Sequence, residues 1–150
     1  MSWHVAQINV ARFIAPQDDP ANVDFMAALD HVNAMADAAP GFVWRLVGAG
    51  SDATDLVPDA ADPNLIANMS VWTDVAALRA FVYDQPDHLA VMRRRRDWFH
   101  KMDVFMALWW VPAGHIPTLA EGMGKIAHLA AHGPTAEAFT FQTLVAAPQP

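Results

Sequence analysis

The chain contains no cysteine among its 150 residues. That excludes disulfides, thiolate metal sites and a cysteine nucleophile, and it suits a reducing compartment. Cations are scarce too: nine Lys and Arg face sixteen Asp and Glu, for a formal charge of -7. Nucleic-acid binding needs clustered positive charge to neutralise phosphates, so this balance argues against it. No apolar run approaches the roughly 20 residues of a membrane-spanning helix. The opening MSWHVAQINVARF lacks the basic start, long apolar stretch and small-residue cleavage site of a secretory signal. A glycine-rich phosphate loop, a nucleophile elbow and a paired-carboxylate motif are also missing, which leaves nucleotide, flavin and nicotinamide sites without support. The expectation is a cytoplasmic protein with neither a nucleic-acid nor a membrane partner.

What is present is apolar mass. A hydrophobic fraction of 54% fills the core of one domain spanning residues 1–150. Trp3 to Ile14 alternates with period two, Val5, Gln7, Asn9, Ala11 and Phe13 on one side, and reads as a strand covered on both faces. From Ala21 to Ala38 the period becomes helical, with Phe25, Leu29, Val32 and Ala36 in one stripe and His31 turned to solvent. Pro40-Gly41 ends that helix, Phe42 to Val47 forms a second strand, and Gly48 to Asn64 forms a long exposed loop. Leu65 to Trp72 is a third strand. Thr73 caps a short helix to Tyr83, and Pro86 starts another that runs to about Phe99 or Met102. Met106 to Val111 is a fourth strand. Thr118 and Glu121 make a capping box for a helix that buries Leu119, Met123, Ile126 and Ala130, and Ala138 to Val145 reads as a last strand. The order implies an α+β fold: a ferredoxin-like split βαβ antiparallel sheet with helices on one face. Its other face needs cover, which two-fold pairing of sheets into a barrel supplies.

The unusual chemistry is concentrated in Arg93–Pro117, RRRRDWFHKMDVFMALWWVPAGHIP. On a wheel of 3.6 residues per turn, Arg95 and His88 fall within the apolar face of Val91, Met92, Phe99 and Met102, whereas Arg93, Arg94, Asp97 and Lys101 point away. A buried arginine requires a carboxylate or an anionic ligand. A structural ion pair satisfies that need, and so does an anion clamp with His88 as acid or base. Gln7 and Asn9 share a side of the first strand; Asn68, Ser70 and Trp72 share a side of the third. If these strands are neighbours, Asn9, Asn68 and Trp72 converge on a pocket floor, although such amides also satisfy one another in cores. Trp109 and Trp110 must face opposite ways on their strand. One can line a cavity with Trp98 while the other packs. His115, between prolines at a strand end, is a further candidate. His128 and His132 have metal-ligand spacing but no evident third ligand, so no metal is expected.

Several blocks carry a resemblance. Pro40-Gly41-Phe42, Ser70-Val71-Trp72-Thr73 with Leu78 and Phe81, and His88 are similar to the dimeric α+β-barrel superfamily, which includes the antibiotic-biosynthesis monooxygenases. Arg94 to Phe99 (RRRDWF), Leu108 to Thr118 (LWWVPAGHIPT), Glu121 and Gly133 to Phe141 (GPTAEAFTF) resemble domain-of-unknown-function family 3291. The resemblance implies a ferredoxin-like subunit and a barrel homodimer. It leaves the reaction open, since fold does not fix function.

The leading expectation is a small-molecule enzyme acting on an apolar, aromatic or polyketide-like compound: a cofactor-independent monooxygenase, isomerase or lyase. His88 is its general base, Arg95 stabilises developing negative charge, His115 is a further catalytic candidate, and Asn9, Asn68, Trp72, Trp98 and Trp109 position substrate. One alternative is haem binding through His88, His100 or His115. Another is a non-catalytic dimeric ligand-binding module, whose function survives loss of His88 and Arg95.

Overall fold

The computed structural model describes residues 2–149. Four strands, β1 (Trp3–Arg12), β2 (Phe42–Arg45), β3 (Leu65–Trp72) and β4 (Met106–Pro112), form one antiparallel sheet in the order β2-β3-β1-β4. This is the split βαβ arrangement expected from the sequence. The central pair is in register along its length, with Val5 opposite Trp72, Gln7 opposite Ser70 and Asn9 opposite Asn68. Both central strands are largely buried on both faces, one face apolar and the other carrying Gln7, Asn9, Asn68 and Ser70.

One face is covered by α1 (Val23–Asp37), α2 (Val75–Asp84), α3 (Pro86–Arg93) and the single turn α4 (Arg95–Trp98). One turn of 3-10 helix, Pro20–Asn22, leads into α1. After α1 the chain reverses at Gly41, whose φ of 82° is costly for any residue with a Cβ. Asp74 rather than Thr73 caps α2, its carboxylate accepting from the Ala77 N–H at 2.8 Å.

The helix expected to run on from Pro86 breaks at Arg94, which has φ -96° and ψ 4°. Its guanidinium is drawn outward, 3.0 Å from Asp24 and 3.1 Å from Asp97, and lies 4.7 Å from the centre of the Trp98 ring. After α4, Phe99 is extended and bridges Phe13, while the His100 N–H donates to the Arg12 carbonyl at 2.9 Å. A wheel drawn through Met102 is therefore wrong beyond Arg93.

The second face is not left bare. α5 (Leu119–His132) lies across β1 and β4, with Leu119, Met123, Ile126 and Leu129 packed on Ala6, Ile8, Met69, Ala107 and Trp109. Helices thus occupy both faces. α5 covers the part of this second face formed by β1 and β4. Leu129 fills the position expected of Ala130, which is exposed. Each buried Leu or Ile stabilises by about 1.5–3 kcal/mol.

Thr118 caps α5 by accepting from the Glu121 N–H, but the Glu121 carboxylate does not return the bond; it accepts from the Trp109 indole at 2.9 Å. Gly122 allows the close approach: a Cβ there would meet Ile8 Cδ1 and Met69 Sδ at 2.8 Å. The last expected strand, Ala138–Val145, is reduced to a two-bond bridge between Phe139 and Leu108. Turns at Thr135–Ala138 and Thr140–Thr143 divert the backbone on either side. Among the described residues no helix is long and apolar enough to cross a membrane.

Gly122→Leu should lower unfolding free energy by about 1–3 kcal/mol through overpacking between α5 and the sheet. Urea unfolding measures it, and an unchanged midpoint would mean that α5 rides looser on the sheet than described.

Candidate functional site

The sheet and α1–α4 do not close fully on each other. Between them is a cavity of about 520 Å³, within the range of small-molecule sites. Phe25, Leu29 and Val32 of α1 form its apolar roof, Phe81, Val91 and Met92 a side wall, and Gln7, Asn9, Asn68, Ser70 and Trp72 the floor. Asp52, Ala53 and Thr54 of the long loop reach its edge.

The floor is a hydrogen-bonded network set by the β1–β3 register. Gln7, only 3% exposed, donates from Nε2 to Asn68 Oδ1 at 2.9 Å and to Ser70 Oγ at 2.8 Å. Its Oε1 accepts from Asn9 Nδ2 at 3.3 Å, and the Trp72 indole N–H donates to Ser70 Oγ at 2.8 Å. Gln7 has no hydrogen left to give. Asn68 does: its Nδ2 has no protein partner among the described residues, and one N–H of Asn9 is likewise free. Two amide donors thus remain for a ligand oxygen, one on half-buried Asn9 and one on Asn68, which is exposed to solvent.

His88 is placed at the start of α3, where the Gln85 side chain caps its backbone N–H at 2.9 Å. Its Nδ1 lies 2.9 Å from the Val82 carbonyl, which can only accept. Nδ1 therefore carries the proton, and Nε2 presents a lone pair with no protein partner among the described residues. The ring packs 5.1 Å from Phe81, which stacks on Trp72 at 5.4 Å. Burial lowers the His88 pKa below its ordinary value, and the bond to Val82 only partly offsets this. The result is a neutral imidazole with an available basic nitrogen.

Five of the expected site residues line this cavity: Asn9, Asn68, Trp72, His88 and Arg95. Arg95, expected to be buried, is exposed at the mouth, because the break at Arg94 rotates it out of the α3 register. Three expected residues lie elsewhere. Trp98 is 2% exposed within the aromatic cluster of Phe13, Phe25 and Phe99, behind the cavity wall. Trp109 faces α5 on the opposite side of the sheet. His115 joins Glu121 there at 2.8 Å, locking the β4–α5 loop. None of the three lines this cavity. His128 is committed to Thr135 and Glu137, and among the described residues no cluster of three metal-binding side chains occurs. The lining residues missed in the sequence include Arg96 and Lys101; His100, named there only as a haem ligand, lines the cavity too. The alternation of Gln7 and Asn9 did signal the floor, whereas nothing local marked the Val82 carbonyl as the partner of His88.

The fold is thus an α+β one of ferredoxin-like split βαβ topology, with a cavity between its sheet and the helices α1–α4. Within that class the chain belongs to the domain of unknown function family DUF3291, whose model matches residues 4–150. No functionally curated protein matches it. Similar solved structures include a candidate antibiotic biosynthesis monooxygenase from Chloroflexus aurantiacus J-10-fl, 18% identical, with a TM-score of 0.52 over 75% of this chain and 97% of that one. Rv0793 from Mycobacterium tuberculosis is 15% identical, with a TM-score of 0.51 over 77% and 99% of the two chains. PA3566 from Pseudomonas aeruginosa is 19% identical, with a TM-score of 0.50 over 74% and 94%. At these identities the likeness defines the fold.

The depressed His88 pKa has a thermodynamic consequence. The unfolded chain takes up this proton near 6.5, the ordinary imidazole value, and the folded chain only at lower pH. Stability from His88 is therefore full above 6.5 and declines as pH falls from there through the folded-state pKa. Unfolding free energy followed against pH should show this decline in the wild type and a shallower one in His88→Gln. Parallel profiles would mean that His88 is freely solvated.

Proposed function

We propose that the chain is a small-molecule enzyme that removes a proton from an apolar, aromatic or polyketide-like substrate held between the sheet and α1–α4. His88 Nε2 takes the proton, and the imidazolium so formed keeps its Nδ1–H on the Val82 carbonyl. The electron pair left on substrate spreads onto an oxygen, giving an enolate or phenolate, and the free N–H groups of Asn68 and Asn9 stabilise that oxygen. They replace Arg95 in this role, since Arg95 stands at the mouth. Trp72 and Phe81 pack against the substrate ring.

The single observation behind this reading is the neutral His88, fixed through Nδ1 with Nε2 free, in a cavity that Asn9 and Asn68 also line. In its monooxygenase form the deprotonated substrate is the reductant of dioxygen and no cofactor takes part. The name carried by the similar Chloroflexus protein favours that form over an isomerase or lyase. The reading places the protein in the cytoplasm. Any homodimer it forms has to pair through a surface other than the one α5 covers.

Haem binding is a second reading with its own observation. A histidine whose second nitrogen donates to a backbone carbonyl is the usual arrangement of a metal-bound imidazole. His88 would be the ligand, with the cavity walls around the porphyrin; His115 lies too far round the sheet to serve. A Soret band on adding haem, lost in His88→Ala, would decide for it.

Oxygen uptake with a panel of hydroxylated naphthalenes and anthrones tests the leading reading. His88→Gln should lower the rate by about 100-fold or more, and the wild-type rate should fall on an acid limb below the ordinary histidine range. Equal rates for the two proteins would rule out His88 as the base, and no uptake with either would leave a non-catalytic ligand-binding module.

A further inference from the structure

We propose that the ligand of this cavity is an amphipathic anion, with an apolar body inside and a carboxylate held at the mouth by Arg95, Arg96 and Lys101. The inference rests on the cavity being the ligand site and adds the chemical class of what enters it.

Charge is distributed very unevenly over this chain. Four of its nine Lys and Arg side chains, Arg45, Arg95, Arg96 and Lys101, line the cavity, against one of its sixteen carboxylates, Asp52. In a chain of net charge -7 the cavity is thus a locally positive region. Arg45 is already committed, 2.7 Å from Asp37 and also bonded to the Ser51 carbonyl. Asp52 accepts from the backbone N–H and the hydroxyl of Thr54. The other three cations have no carboxylate within ion-pair distance among the described residues.

The contrast with their neighbour is informative. Arg94 holds two carboxylates, Asp24 and Asp97, and covers the Trp98 ring. The break there turns Arg95 from the inner face of the helix out to the rim of the cavity, which Arg96 also lines. Arg95 is steadied there over the Phe105 ring, 5.9 Å from its centre, a contact that leaves every guanidinium N–H free. His100 adds a further donor to the same rim. Three like charges around one opening repel each other, and low-dielectric walls focus their field on whatever enters.

The anion is a carboxylate rather than a phosphate. Phosphate cradles draw on backbone N–H groups of glycine-rich turns, and no glycine lines this cavity. Arginine forks match either anion two bonds at a time, so the choice of carboxylate rests on the absence of such a glycine turn. With the charged end at the rim, the apolar body reaches toward Trp72 and His88, which sets the depth of the atom that loses its proton.

Isothermal titration of the full chain with 2-naphthoate and with its neutral isostere 2-naphthamide tests this. At low ionic strength naphthoate should bind roughly tenfold tighter, the gain of one or two charge-assisted bonds at a half-exposed site. The gap should shrink in about 0.5 M salt. The triple variant Arg95→Gln, Arg96→Gln, Lys101→Gln should abolish it while leaving naphthamide affinity as in the wild type. Equal wild-type affinities for the two probes, or a preference that survives in the triple variant, would overturn the anion proposal while leaving the cavity as a ligand site. If neither probe binds, the cavity reading and the anion proposal fall together.

Discussion

Gln7 is the constraint on which this structure turns. Its amide lies in the middle of the sheet, and a buried amide left unbonded costs about 1–3 kcal/mol for each unsatisfied group. Only one strand alignment supplies its partners: Ser70 directly opposite and Asn68 on the diagonal. A slip of one residue would carry Gln7 to the α5 side, among Ile8, Met69 and Trp109 and away from Ser70 and Asn68. The same bonds that fix the register also saturate Gln7 and leave Asn68 with free hydrogens. Fold specification and the polar equipment of the cavity are therefore one network.

The two faces of the sheet put this common backbone to different uses. Toward α5 the packing is dry and continuous, with side chains as large as Trp109 fully buried and Gly122 opening room for the helix. Toward α1–α4 the helical cover is broken into several pieces. α3 stops after eight residues, α4 lasts a single turn, and the gap they fail to fill is the cavity. A face that packs completely supports stability, whereas a face that packs incompletely can hold a guest. His88 stands where the second kind of packing is best defined, between a helix start and the Phe81–Trp72 stack.

Much of this was legible in the sequence, because it depends on local period. Alternation in Trp3–Arg12 and Leu65–Trp72 gave the strands and the polar set on one side, and the stripe from Phe25 to Ala36 gave the roof. What was not legible depends on partners distant in the chain. The break at Arg94 is held by Asp24, seventy residues away, so a helical wheel placed Arg95 inside when it lies at the rim. The amphipathic pattern of α5 was plain, but nothing in it says which surface it covers. Trp109 and His115 were consequently assigned to a pocket when both belong to the α5 clamp. The strand expected at Ala138–Val145 had suitable residues, yet threonine-based turns on both sides prevailed over its propensity.

The placement of α5 also bears on how the chain is made. All four strands are complete by Pro112, but the helix that shields their second face begins only at Leu119 and ends at His132. During synthesis the sheet can pair while Ile8, Met69, Val71 and Trp109 still face water. That apolar surface stays adhesive until the following residues emerge and fold over it. Pro117 and the Thr118 cap shorten the interval, since they start the helix within a few residues of the strand's end. The nascent protein is most vulnerable to misassociation in the window between finishing its sheet and docking its last helix.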